Sequence, residues 1–169
     1  IRMICPLHGL IWRENLSSII KKYELWSSYS PETDGVLIVY GSVYGNTALA
    51  CDILASRLAE AGVKNIKVTD ASKTDKSYIL ADIFKFSHII FACATYNSGI
   101  FTPMDELLED VCAHGLKNRT VGFIENGSWA AQTAKLMKRK LEALQNITFL
   151  NSSASIASSV KENSLPQLD

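Results

Sequence analysis

Three short stretches hold the residue types that could do chemistry. The first, Ser42-Val43-Tyr44-Gly45-Asn46-Thr47, follows an apolar run at 36–40 and leads into a helical pattern. A helix N-terminus presents free backbone N–H groups and the positive end of the helix dipole, so this loop can attract an anion without any cationic side chain. Gly45 lets the backbone close around the anion, while Ser42, Asn46 and Thr47 add short donors that do not fill the nest. The G-x-x-x-x-G-K-[ST] pattern of triphosphate binding is missing its lysine and second glycine, and G-x-G-x-x-G is absent too, so a single phosphate monoester fits best. The second and third stretches are Thr95-Tyr96-Asn97-Ser98-Gly99-Ile100-Phe101 and Asn126-Gly127-Ser128-Trp129. Tyr96, Phe101 and Trp129 offer stacking or edge contacts to a flat ring. Asn97, Ser98, Asn126 and the backbone near Gly99 and Gly127 offer polar partners to its rim.

These stretches need elements to bring them together. From residue 36 the pattern alternates: strand 36–40, helix 47–61 closed by Gly62, strand 65–70, helix 77–85, strand 88–94, helix 104–114, strand 119–125, helix 129–144, strand 147–152. Such βαβ alternation predicts a doubly wound α/β domain with a five-stranded parallel sheet. The runs at 36–40, 89–94 and 121–124 are almost continuously apolar, as strands buried on both faces should be, and belong in the middle. Residues 64–69 and 146–149 alternate and suit the edges, which gives the order 2-1-3-4-5. The switch point then lies between strands one and three, so the loops after strands one, three and four, the three stretches above, line one crevice. A phosphate at one end and a flat, polar-rimmed ring at the other describe flavin mononucleotide, FMN.

Composition narrows the field further. The 169 residues suit about one domain, and 17 Lys plus Arg balance 17 Asp plus Glu with no basic block, which argues against a nucleic-acid partner. The four cysteines, Cys5, Cys51, Cys93 and Cys112, stand apart with no C-x-x-C pair and read as small apolar fillers in a reducing cytosol. No apolar run approaches the roughly 18 residues of a membrane span, so no membrane partner is expected and a cytoplasmic location is. The chain starts without Met and stops just after Ser164-Leu165-Pro166 reads as the opening of a helix, so a fragment is expected.

Ser-x-Tyr-Gly-Asn-Thr after the first strand resembles the phosphate loop of flavodoxins, and 95–104 is similar to the third-strand loop of the flavodoxin domain in flavodiiron proteins. The stretch Pro6-Leu7-His8-Gly9-Leu10-Ile11-Trp12-Arg13, with Tyr23 and Trp26, resembles the segment joining that family's metallo-β-lactamase-like domain to its flavodoxin domain. The resemblance implies a flavodoxin-like fold over 34–169, with 1–33 a linker and amphipathic helix from a domain missing here. It also implies that FMN passes electrons to a diiron site that reduces oxygen or nitric oxide, usually across a head-to-tail homodimer. An external donor such as rubredoxin or a reductase would supply the electrons. His8 matches the last histidine ligand of the diiron site, whose other ligands the chain lacks, so an electron-transfer fragment that does not turn over alone is expected. At the fourth-strand loop the family tends to show Gly-Ser-Tyr-Gly-Trp where this chain has Glu125-Asn126-Gly127-Ser128-Trp129.

Other groups have plainer readings. Leu16, Ile19, Ile20, Tyr23 and Trp26 are spaced as one face of an amphipathic helix. For Trp12 and Trp26 local packing and contact with a missing domain are both open. Asp105, Glu106, Glu109 and Asp110 are expected to complement a helix dipole, and His88 and His114 to be structural. An FMN-dependent NAD(P)H:quinone reductase and a flavin-free interaction module on the same scaffold are the alternative functions.

Overall fold

The computed structural model describes residues 1–168. Seven strands form one sheet: β1 Thr33–Gly41, β2 Ile66–Asp70, β3 Phe86–Tyr96, β4 Gly99–Ile100, β5 Arg119–Asn126, β6 Ile147–Phe149 and β7 Ala154–Ile156. The helices are α1 Leu16–Ser27, α2 Asn46–Glu60, α3 Lys76–Lys85, α4 Thr102–Ala113 and α5 Thr133–Leu141, with a 3-10 helix at Glu162–Leu168. The strands run in the order β2-β1-β3-β5-β6, and all pairs along that path are parallel. This is the expected 2-1-3-4-5 order, because β4 is a hairpin appended to β3 and β5 is the fourth parallel strand.

The apolar runs of β1, β3 and β5 are central because both faces are covered. On one face Leu37, Val39, Ile89, Phe91, Val121 and Phe123 pack against α3, α4 and α5. On the other Ile38, Ala92, Ile124 and Ile156 pack against Ala50 and Cys51 of α2 and against Leu168. The short edge strands β2 and β6 keep alternating, half-buried patterns.

Three expectations need correction. The strand expected at 147–152 ends at Phe149 as β6, and a further strand, β7, follows it at Ala154–Ile156; both pair with β5. Between them Leu150 still donates its N–H to the Val121 carbonyl, but its side chain lies over Gly122, where a Cβ would meet it at 2.8 Å, and the polar run 151–153 leaves the sheet. Helix 129–144 is only Thr133–Leu141: the Glu125 carboxylate accepts the Ala134 N–H at 3.1 Å and fixes the start there, leaving Trp129 on a loop. Cys5 is exposed and fills no core, whereas Cys51 and Cys93 are buried.

The N-terminal segment is fastened to the N-terminal ends of the strands. Buried Arg119 donates to the carbonyls of Tyr29 (2.6 Å), Lys117 and Asn118 (3.0 Å each) and Phe84, and pairs with no carboxylate among the described residues. Burial pushes its pKa down. The helix expected at 15–27 forms as α1, but none of its residues is buried; Trp26 donates its indole N–H to Glu32 at 2.7 Å, and Tyr23 stands exposed. No helix among the described residues is long and apolar enough to cross a membrane.

Candidate functional site: a crevice at the C-terminal ends of β1, β3 and β5

All three predicted loops emerge at the C-terminal ends of adjacent parallel strands, β1, β3 and β5, where ligands of open α/β sheets bind. The first loop is built to leave donors free. Gly45 takes the position before α2 with φ 88°, a left-handed conformation that side chains adopt only with strain, and a Cβ there would meet nothing within 4 Å. Ser42 folds back, its hydroxyl accepting the Gly45 N–H at 3.1 Å. The helix has no side-chain cap, and the N–H groups of Asn46, Thr47 and Ala48 have no acceptor among the described residues. By contrast, α3 is capped by Asp75, which accepts the Ser77 N–H. The open donors at α2, beside the buried Thr47, fit a phosphate group. Val43 and Tyr44 are exposed.

The second loop is a tight hairpin that the sequence did not signal. Thr95 pairs with Ile100 and Tyr96 with Gly99, so Asn97 and Ser98 form the turn, both at positive φ (47° and 57°), as in type I′. Phe101 sets its ring edge-on to Tyr96, centroids 6.0 Å apart, packs on the α3–α5 core and approaches Gly41, where a Cβ would lie 3.1 Å from it. Phe101 thus joins the first loop's strand to the second loop as a packing residue, while half-exposed Tyr96 and the 96 % exposed Trp129 are free to meet a ligand.

The third loop is tied down from below. Asn126 is buried and donates its amide to the Ser158 carbonyl at 2.8 Å, so that donor is already used. Gly127 donates its N–H to the Ile156 carbonyl at 3.1 Å, and a Cβ on Gly127 would come within 2.9 Å of the Ala131 backbone. Ser158 donates to the Ser128 hydroxyl at 3.3 Å. Thr95, Asn97, Ser98, Gly127, Ser128 and Trp129 come together around one hollow of about 290 Å³. Its lining includes neither the 42–47 loop nor Tyr96, Gly99, Phe101 or Asn126.

Two contributors escaped the sequence reading. Gln132 bridges the loops, its side-chain amide donating to the Ser98 carbonyl at 2.7 Å and its N–H to Thr95 Oγ1 at 3.3 Å. Ser158, at φ 65° in a serine-rich stretch, forms the floor beside Asn126 and Ser128; nothing in its local sequence marks it out. No Lys or Arg occurs in the three loops. Cys93 beneath them is inert, burial pushing its thiol up to about 12. His8 is exposed in the N-terminal segment, and among the described residues no group of three or more His, Cys, Asp or Glu is placed to hold a metal ion. The carboxylates of α4 form ion pairs instead of only serving the dipole: Glu106 and Asp110 with Lys76, Asp105 and Glu109 with Lys140.

Known proteins agree with this architecture. Residues 38–160 match the flavodoxin family model. The anaerobic nitric oxide reductase flavorubredoxin of Vibrio vulnificus is 30% identical over 75% of the chain, and that of an Escherichia coli O1:K1 strain 24% identical over 83%. The chain spans 26% and 29% of those relatives, less than a third of their length. Among solved structures, rubredoxin:oxygen oxidoreductase of Desulfovibrio gigas superposes with a TM-score of 0.88 at 21% identity, covering 99% of this chain and 41% of that one. An archaeal flavodoxin superposes with a TM-score of 0.69 at 14% identity, covering 80% of this chain and 91% of that one. With the family model matched over most of its length, the chain belongs to the flavodoxin family.

Proposed function

We propose that the chain binds FMN in the crevice above β1, β3 and β5 and acts as the electron-transfer module of a flavodiiron-type oxidoreductase. The observation that carries this reading is the uncapped N-terminus of α2, with three unpaired N–H groups in a loop that holds no cation. A phosphate there would accept from Asn46, Thr47 and Ala48 and gain the helix dipole, at roughly 1.5–3 kcal/mol for each charge-assisted bond. Ser42 fixes the loop's curvature through its bond to Gly45. The ring would lie in the hollow lined by Asn97, Ser98, Gly127 and Trp129, with Tyr96 beside it, where the indole offers a stacking face and polar side chains and backbone groups meet the ring's polar rim. Bound there, FMN supplies reversible one- and two-electron transfer.

The wider assignment rests on the flavorubredoxin and flavodiiron relatives and on the N-terminal segment. His8 is proposed as a ligand of a diiron centre in a metallo-β-lactamase-like domain, of the same chain or the other subunit of a homodimer. The centre's other ligands are proposed to lie in that domain; among the described residues no group of three or more His, Cys, Asp or Glu is placed to hold a metal ion. The open face of α1 supports residues 1–33 as the linker to that domain. Rubredoxin or a reductase is the proposed donor, oxygen or nitric oxide the proposed final acceptor, and the cytoplasm, which keeps the unpaired cysteines reduced, the proposed setting.

The test is reconstitution. The purified chain mixed with FMN should elute from gel filtration as a yellow protein and bind no stoichiometric iron. A colourless protein would overturn the flavin assignment. Stoichiometric iron, with anaerobic nitric oxide consumption lost in His8→Ala, would overturn the division of labour.

A further inference from the structure

The turn at Asn97-Ser98 needs support from outside itself. Both residues have positive φ, 47° and 57°, and the second central position of such a turn, the usual place of a glycine, holds Ser98. Side chains keep that conformation only where the surroundings hold it. The ladder beneath offers little, because β4 has two residues and pairs only Thr95 with Ile100 and Tyr96 with Gly99. The tip is not packed either: Tyr96, Asn97 and Ser98 are all exposed. Ser98 lines the hollow of about 290 Å³ shared with Trp129, and Ser98, Gly99 and Ile100 line a second hollow, of about 510 Å³, with Leu136 and Arg139 of α5. The tip of the hairpin is therefore a thin wall between two open spaces.

Among the described residues one hydrogen bond from outside the hairpin reaches the turn, the Gln132 side-chain amide donating to the Ser98 carbonyl at 2.7 Å. The anchor of that bond is rigid. Gln132 donates its own N–H to Thr95 Oγ1 at 3.3 Å, buried Thr133 donates its hydroxyl to the Cys93 carbonyl at 2.9 Å, and the Ala134 N–H donates to the Glu125 carboxylate at 3.1 Å. Three consecutive residues are thus stitched to the C-terminal ends of β3 and β5, and the Gln132 side chain reaches from them to the turn.

We infer that Gln132 is a positioning residue for the flavin ring: its bond to Ser98 holds the Asn97-Ser98 turn in place and so forms one wall of the ring-side hollow before a ligand arrives. The inference rests on the flavin assignment above. A wall that is already ordered spares the ligand the entropy of ordering it, which raises affinity without a new contact. The effect belongs to the ring end alone. The 42–47 loop is shaped by its own Ser42–Gly45 bond, and among the described residues no hydrogen bond joins it to Gln132.

The experiment measures dissociation constants for FMN and for riboflavin, by fluorescence titration, in the wild-type chain, Gln132→Met and Gln132→Glu. The first substitution keeps the side-chain length and loses the donor; the second keeps the shape and turns an acceptor toward the Ser98 carbonyl. Either should weaken both flavins by at least about fivefold, the equivalent of one net hydrogen bond, and by the same factor. In the flavin-free chain, ¹⁵N order parameters at 96–99 should fall from the rigid range of about 0.85 toward about 0.6 in Gln132→Met, with 42–47 unchanged. Ser98→Gly supplies the residue this turn favours, so in that background Gln132→Met should cost less than about twofold, a rescue that a role confined to the stability of α5 would not show. Melting temperature reports that each variant is folded. Unchanged affinity, weakening of FMN but not of riboflavin, or an equal loss in the Ser98→Gly background would overturn the inference. Wild-type chain that binds neither flavin would sink the flavin assignment and the ring role with it, whereas unaltered order parameters in Gln132→Met would reject the tie whatever the flavin result.

Discussion

Aromatic side chains at the crevice divide into two kinds by what they touch. Phe101 is packed between Gly41, Tyr96 and the core, whereas Trp129 is almost wholly in solvent. An exposed tryptophan contributes little to folding, and its truncation should change stability by no more than about 0.5 kcal/mol. If its ring meets the flavin, Trp129→Ala should weaken FMN binding by on the order of 1 kcal/mol, with loss of tryptophan quenching on binding. Thermal melting and fluorescence titration of the same variant separate the two effects. Unaltered affinity together with unaltered quenching would remove Trp129 from the site.

Helix ends and fasteners set the predictions at the scale of elements. Asp75 accepts the Ser77 N–H at 2.9 Å and its hydroxyl at 2.6 Å; these bonds hold its pKa below the ordinary 3.8. A lowered folded-state pKa means that the stabilisation is present above the unfolded value and is lost as pH falls through the folded one. Stability should therefore fall below about pH 4, and Asp75→Asn, which keeps a cap but no charge, should flatten that part of the pH–stability profile measured by denaturant melts. At the opposite end of the sheet Arg119 satisfies four carbonyls, including that of Tyr29. Arg119→Ala should cost roughly 2–3 kcal/mol or more, since charged hydrogen bonds are lost and buried carbonyls orphaned. Limited proteolysis of that variant should release residues 1–31 first; simultaneous cutting throughout the domain would contradict the fastening role.

The whole molecule was largely legible because its organisation is written in local patterns. Apolar runs buried on both faces can only be central strands, so 36–40, 89–94 and 121–124 marked the middle of the sheet and thereby the switch point. What stayed hidden depends on contacts across long sequence separations. The turn at Asn97-Ser98 has no glycine to announce its positive φ, and the break between β6 and β7 depends on Leu150 lying over Gly122. Gln132 and Ser158 matter only because folding brings them to Ser98, 34 residues away, and Asn126, 32 residues away. The proposed phosphate loop stands out in the sequence because one strand-to-helix junction contains all the donors proposed for it. That loop also carries the central claim, which a comparison of two ligands differing by one phosphate tests directly. Fluorescence titration of the chain with FMN and with riboflavin should give dissociation constants differing by at least about 100-fold, the equivalent of about 2.7 kcal/mol, in favour of FMN. Equal dissociation constants would show that the open N–H groups of α2 hold no phosphate and would contradict the account.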